Sequence, residues 1–273
     1  MKEMNKFTIS LLLLAFLISP TLFSQEAAPK ATIMVVTKVH WNFDKNDGSQ
    51  EEWAAIEKEY FDKVTSKNEY ILRTNFLTHY FTADNSEAIW VNLYANWEDI
   101  EKANDRTNEL VEAAWPDESA RKKFFATQSS YYTPMHSDEI YSIVDGGKDL
   151  AEKPTKSKLY YVRVSEMAYP ANGNVGERME LLKEYNDNVT FKNENVQAYY
   201  MYRHMWGADN TNFTEVFVFD NLSDIEASFD RNVELTDAKW SEGEQKVMNE
   251  KNDQYWTGKH GDYIWRNYPA LMK

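Results

Sequence analysis

Along this chain the apolar positions change period in a fixed order. Thr32 to Trp41 alternates apolar and polar residues and is rich in β-branched side chains, which predicts a half-buried strand. Trp53, Ile56, Tyr60 and Val64 then recur at helical spacing. Tyr70 to Phe81 and Ala88 to Ala95 read as two strands joined through Ala83-Asp84-Asn85, a turn composition. A long helix is expected after the capping residue Asn96, with Ile100, Ala103, Thr107, Leu110 and Ala114 on one stripe and Pro116 breaking or kinking it. A last strand covers Asp138 to Val144.

The whole order then returns. Lys158 to Glu166 is strand-like, and Leu181, Leu182, Tyr185 and Val189 carry helical spacing. Asn221 stands where a second long helix would start, and Asp262 to Tyr268 reads as the closing strand. The two halves match residue by residue. Lys58-Glu59-Tyr60-x-Asp62-x-Val64-Thr65-x-Lys67-Asn68-Glu69 reappears, shifted by 125 residues, as Lys183-Glu184-Tyr185-x-Asp187-x-Val189-Thr190-x-Lys192-Asn193-Glu194. The same shift carries His79 onto His204, Asp84 onto Asp209, Arg106 onto Arg231 and Trp115 onto Trp240. After one lost residue, His136 meets His260. Such a match implies an internal duplication. The expected organisation is a first unit over 32–145, a polar linker carrying Gly and Pro over 146–157, and a second unit over 158–273.

Each unit is thus α+β with the order strand, helix, strand, strand, helix, strand, the ferredoxin-like arrangement. In element order and repeat length the chain resembles the dimeric α/β-barrel superfamily, whose members set two such sheets face to face around a cavity. The resemblance covers nearly all of the chain after the first thirty residues. It implies that two tandem units build a barrel, either within one chain as a pseudo-dimer or between chains of a homo-oligomer. It also implies a choice of activities, a cofactor-independent monooxygenase or a haem-dependent oxidoreductase. A haem cofactor would need one histidine as its axial ligand.

In that fold one side of each strand packs on helices and the other faces the cavity, so alternation divides the residues. The apolar positions Ile89, Val91 and Leu93 are assigned to the helices, leaving Trp90, Asn92 and Tyr94 as lining, with Glu215, Phe217 and Phe219 as their counterparts. On the first strand Val36, Lys38 and His40 face inward, matched by Tyr161, Arg163 and Ser165. On the second, Asn75, Leu77 and His79 are placed inward, with Tyr200, Tyr202 and His204. The inferred lining is aromatic with a few basic and imidazole groups, which suits a small apolar or aromatic molecule. The same aromatics could instead fill a dry interface, as in a structural or interaction protein without a ligand. His79 and His204 are the candidates for a base or a haem ligand. No His-x-x-x-His or His/carboxylate spacing of a zinc site is present, so no metal is expected.

Composition narrows the partners. A formal charge of −14 without clustered Lys and Arg speaks against nucleic acid and anionic membrane surfaces. Glu101, Asp105 and Glu109, repeated as Glu226, Asp230 and Glu234, stand at i, i+4, i+8 and read as a solvated helix face or a cross-unit contact with Arg106 and Arg231. Lys2 and Lys6 precede an apolar block from Phe7 to Ile18, followed by Pro20 and Ser24, which predicts a secretory signal peptide over 1–24 and a leader over 25–31. The protein is expected to be exported, periplasmic or secreted, with no membrane anchor. The absence of cysteine excludes disulfides, a lipid-attachment thiol and thiol nucleophiles.

Overall fold

The computed structural model describes residues 29–273, so the expected signal segment and most of the leader lie outside the described residues. The first half contains β1 (Ile33–Trp41), α1 (Gln50–Lys63), β2 (Arg73–Phe81), β3 (Glu87–Tyr94), α2 (Trp97–Ala114), α3 (Glu118–Ser129) and β4 (Tyr132–Lys148). The second half contains β5 (Leu159–Met167), α4 (Val175–Tyr185), β6 (Ala198–Trp206), β7 (Asn212–Phe219), α5 (Leu222–Lys239), α6 (Glu242–Asp253) and β8 (Trp256–Asn267).

Local chemistry accounts for the helix starts. Asn96 and Asn221 each accept the backbone N–H three residues on, at 3.0 and 3.1 Å, satisfying one orphan donor of α2 and α5. Ser49 and Ser241 complete reciprocal capping boxes with Glu52 and Glu244. Pro116 does end α2, yet the chain re-enters a helix at once, with Asp117 accepting from Ala120 N at 2.7 Å. The expected single helix is therefore two helices in each half. In both long helices the repeated basic residue is held within its own half: Arg106 pairs with Glu69 and Glu109, and Arg231 with Glu194 and Glu234. The proposed cross-unit contact of these arginines does not form.

All eight strands are antiparallel to their neighbours, and each has two of them, giving the closed order β1-β3-β2-β8-β5-β7-β6-β4. Two seams join the halves, β2 to β8 and β4 to β6. The barrel therefore closes within one chain. β4 extends well beyond the expected strand, and Gly147 lies so close to the backbone of β6 that an added Cβ would meet the Tyr199 carbonyl at 2.7 Å. The 145/146 boundary read from composition thus falls inside a strand.

Side chains sort into an interior and an outer layer. Met34, Leu77, Ile89, Tyr160, Tyr202 and Trp265 belong to the interior cluster. Between sheet and helices lie the larger aromatics, among them Trp41, Trp53, Phe76 and Trp90 in the first half and Tyr199, Phe213 and Phe219 in the second. Among the described residues no helix is long and apolar enough to cross a membrane.

Candidate functional site

A cavity of about 400 Å³ runs inside the barrel. Its middle is aliphatic, from Val36, Ile89, Val91, Leu93, Val162 and Val216, and its polar groups gather at the two ends. This is the usual build of a small-molecule pocket, an apolar body with a few fixed polar groups.

At one end β2, β5 and β6 bring Asn75, Tyr160, Tyr200 and Tyr202 together, with the C-terminal Lys273 beside them. Tyr200 and Tyr202 are stacked with ring centroids 6.5 Å apart. Burial pushes the phenols of Tyr160 and Tyr202 well above the usual range, so both remain neutral O–H donors at physiological pH. Asn75 Oδ1 is buried without a protein partner, an acceptor open to a guest. A fork between Arg73 and Asp149, at 2.6 and 3.0 Å, flanks this end, and the Asp149 carboxylate holds the guanidinium above its ordinary value.

At the other end Lys38 pairs with Glu87 at 2.9 Å. Glu139 accepts the Tyr141 hydroxyl at 2.6 Å; desolvation first, and this carboxylate second, raise the Tyr141 phenol. Beside them His204 is buried with neither ring nitrogen partnered, its ring edge-on to Tyr141 at 5.9 Å.

Of the residues expected to line the site, Lys38, Tyr200 and Tyr202 do so, as do Val36, Asn75 and Leu77. His40 is buried just beyond Lys38. Trp90, Asn92, Tyr94, Tyr161, Arg163, Glu215, Phe217 and Phe219 instead take the outer, helix-covered side of the sheet. Trp90 packs on Phe76 at 4.5 Å, and Tyr94 joins Ile71 and Ala103 under α2. Tyr161 donates to Asp262 at 2.6 Å, and Arg163 donates to the same oxygen at 3.0 Å. Phe217 stacks on Tyr161, Phe219 sits in the second-half helix–sheet core, and Asn92 and Glu215 share that outer side. His79 bonds Thr82 Oγ1 through Nδ1 at 2.6 Å and lines a surface depression with Trp41 and Tyr131, apart from the cavity.

Two physical causes explain the misplacements. On β3 and β7 a period of two shows which residues share a face, not which face is inside. On these two strands the aromatics pack between sheet and helices, while Ile89, Val91, Leu93 and Val216 face the cavity. On β5 the cause is register. Ile33 pairs with Tyr94, whereas Leu159 pairs with Phe219, so the first strands correspond by a shift of 126 residues and not 125. A slip of one residue turns every side chain over, and the interior set of β5 is Tyr160, Val162 and Val164.

The residues do not fit haem in this arrangement. No imidazole is among the cavity-lining residues, and His79 Nδ1 is occupied by Thr82. His204 Nε2 is buried, and His204 is not among the residues that line the cavity, so the ring nitrogen that would have to reach iron does not open onto it.

No family model matches the chain, and no curated protein matches it. Among solved structures it is similar to a candidate monooxygenase from Fusobacterium nucleatum subsp. nucleatum, at 12% identity over 87% of this chain and 92% of the other, with a TM-score of 0.55. It is also similar to an anthrone oxidase-like protein, at 11% identity over 89% and 93%, TM-score 0.50. A third likeness is to a chlorite dismutase variant from Candidatus Nitrospira defluvii in complex with cyanide, at 11% identity over 89% and 93%, TM-score 0.50. The fold is that of the dimeric α+β-barrel proteins, and at these identities the likeness extends to the fold alone.

Proposed function

We propose that this protein binds a small, mostly apolar molecule carrying a hydroxyl or carbonyl group inside its barrel. The cavity carries the reading: about 400 Å³, walled by aliphatic side chains, with unpaired Asn75 Oδ1 and neutral tyrosine hydroxyls at one end. A guest would bury its apolar body along Ile89, Val91 and Val216 and exchange hydrogen bonds with Asn75, Tyr160 and Tyr202. The repeated sequence and the twofold recurrence of elements support an origin by duplication, with two tandem units supplying both halves of the barrel. The basic and apolar segment at residues 1–24 supports export to the periplasm or medium.

The test is thermal stability of the full-length mature protein against a library of apolar and aromatic metabolites. A guest present at 100 times its Kd stabilises by about 2.7 kcal/mol, which for a domain of this size raises Tm by roughly 5–10 °C. A well-folded protein that no library member stabilises would refute the reading.

A second reading, cofactor-independent oxygenation, is favoured by one observation, the buried and unpartnered His204 beside Tyr141 and Glu139. Oxygen uptake with quinol-like substrates that is lost in a His79→Ala, His204→Ala double variant would support it, and unchanged uptake would remove it. A Soret titration checks the haem alternative, and the buried His204 Nε2, set apart from the cavity lining, predicts no band.

A further inference from the structure

At the Lys38 end of the cavity, β1 and β3 place His40 directly across from Glu87 in the strand register, and the turn before β3 brings Asp84 alongside. We propose that His40, Asp84 and Glu87 form a site for a divalent first-row transition metal ion, of which Zn²⁺ is the working probe. The inference goes beyond guest binding and stands whether or not a guest fills the barrel.

Three observations carry it. First, His40 is only 8% exposed, and its Nδ1 lies 3.3 Å from the Met135 carbonyl, a contact that requires the proton on Nδ1. Nε2 is then the lone-pair nitrogen, the orientation that a backbone carbonyl imposes on metal-binding imidazoles. Second, Nε2 faces Asp84 Oδ2 and Glu87 Oε1, each at 3.9 Å, and one ligand atom from each of the three residues lies within 4.8 Å of the others. With the imidazole in that neutral tautomer, three acceptor atoms converge on one point, Glu87 Oε1 being also the partner of Lys38. An ion held at 2.0–2.2 Å by such atoms spaces them roughly 3.4 Å apart in tetrahedral geometry. The half-exposed Asp84 and a small turn of Glu87 can close that difference. Third, Asp84 divides its labour. Its Oδ1 accepts from Ser86 N and Oγ at 2.8 and 2.7 Å, which holds the turn and leaves Oδ2 for an ion.

The second half provides an internal control. Asp209 makes the same turn through Thr211, at 2.9 and 2.6 Å. Opposite it, however, Glu166 pairs with Asn212 where the first half has His40 and Glu87. The aspartate is thus explained by the turn in both halves, while the imidazole and the second carboxylate occur together in one. An imidazole with two carboxylates suits zinc or manganese better than magnesium or calcium, which prefer oxygen-only ligands. Three protein ligands would leave a coordination position open, and since Glu87, Lys38 and Ala83 line the cavity, the site adjoins the space proposed for a guest. Lys38, 2.9 Å from Glu87, supplies positive charge at the same carboxylate and competes with the ion.

The test is calorimetric titration of untagged, chelator-stripped mature protein with Zn²⁺, repeated with Mn²⁺ and with Mg²⁺. One equivalent of Zn²⁺ should bind. His40→Ala and Glu87→Gln should each weaken binding by roughly tenfold or more, and Lys38→Met should tighten it by removing the competing ammonium. Circular dichroism confirms that the variants fold, and Glu87→Gln and Lys38→Met, both at this end of the cavity, keep the test decisive if His40→Ala does not. Wild-type protein that binds no stoichiometric Zn²⁺, or a Glu87→Gln variant that binds it as tightly as wild type, would overturn the site, as would a Lys38→Met variant with weaker affinity.

Discussion

Replacing Asn68 by alanine should cost this protein about 3 kcal/mol. Asn68 is fully buried and ties the loop after α1 to α2. Its Nδ2 donates to the Ala103 carbonyl at 2.7 Å and to Thr107 Oγ1 at 3.0 Å, and its Oδ1 accepts from Tyr70 N at 3.2 Å. Three hydrogen bonds at about 1 kcal/mol each give the estimate. At roughly 2–4 °C per kcal/mol for a domain of this size, Tm should fall by roughly 6–12 °C. The repeated sequence supplies a replicate. Asn193 donates to the Ser228 carbonyl at 3.0 Å and to Asn232 Oδ1 at 2.8 Å, and it accepts from Asn195 N at 3.0 Å. Asn193→Ala should therefore cost a similar amount, and the double variant should show a nearly additive loss, since the two asparagines share no partner. Urea denaturation with an unchanged m-value measures the costs, and calorimetry the Tm. A loss below about 1 kcal/mol in either single variant would show that these repeated asparagines do not anchor the long helices.

Glu57 is buried, with its carboxyl accepting from Tyr132 Oη at 2.8 Å and Gln128 Nε2 at 3.0 Å, and desolvation raises its pKa. Folding therefore favours the protonated form. The stability this contributes is complete below the unfolded carboxyl pKa of about 4.3 and is lost as pH rises through the folded value. The Tm of Glu57→Gln minus that of wild type should accordingly grow from pH 4 to pH 8, and a flat or falling difference would contradict the assignment. Two glycines should respond to alanine with opposite signs in thermal melts. Gly207, at φ +139° with Glu139 and His204 crowding its missing Cβ, should lose more than about 1 kcal/mol. Gly243, in the first turn of α6 with nothing within 4 Å, should gain up to about 1 kcal/mol.

The element order was legible because each element carries its own local chemistry. Asn96 and Asn221 cap helices, and Asp84 and Asp209 make turns, in both halves and for the same reasons. The short helices α3 and α6 carry no fully buried residue, and the apolar face of α3 is only Phe124 and Phe125 against Trp115, too short a stripe to read as a separate helix, although Asp117 and Ser241 stand at their caps. Which face of each strand turns inward was legible only in part. On β1, β2 and β6 polar or aromatic residues do face the cavity, as Lys38, Asn75 and Tyr202 show. On β3 and β7 the aliphatic set is the interior one, and alternation alone carries no sign. On β5 the one-residue difference between the halves could have been found by aligning Leu159 with Ile33, because both begin their strands with a fully apolar inner and outer pair. His40, Asp84 and Glu87 have no zinc-like spacing, since strand pairing and not sequence proximity brings them together.

A guest inside the barrel lies against the aliphatic side of β3 and β7 and away from their aromatic, helix-packed side. The decisive measurement is the stabilisation that one identified guest gives to two variants, Val216→Trp, which fills the cavity, and Trp90→Phe, which alters the helix-packed side. The guest should no longer raise the Tm of folded Val216→Trp and should raise that of Trp90→Phe as much as that of wild type. Retention of the shift in Val216→Trp together with its loss in Trp90→Phe would place the guest outside the barrel.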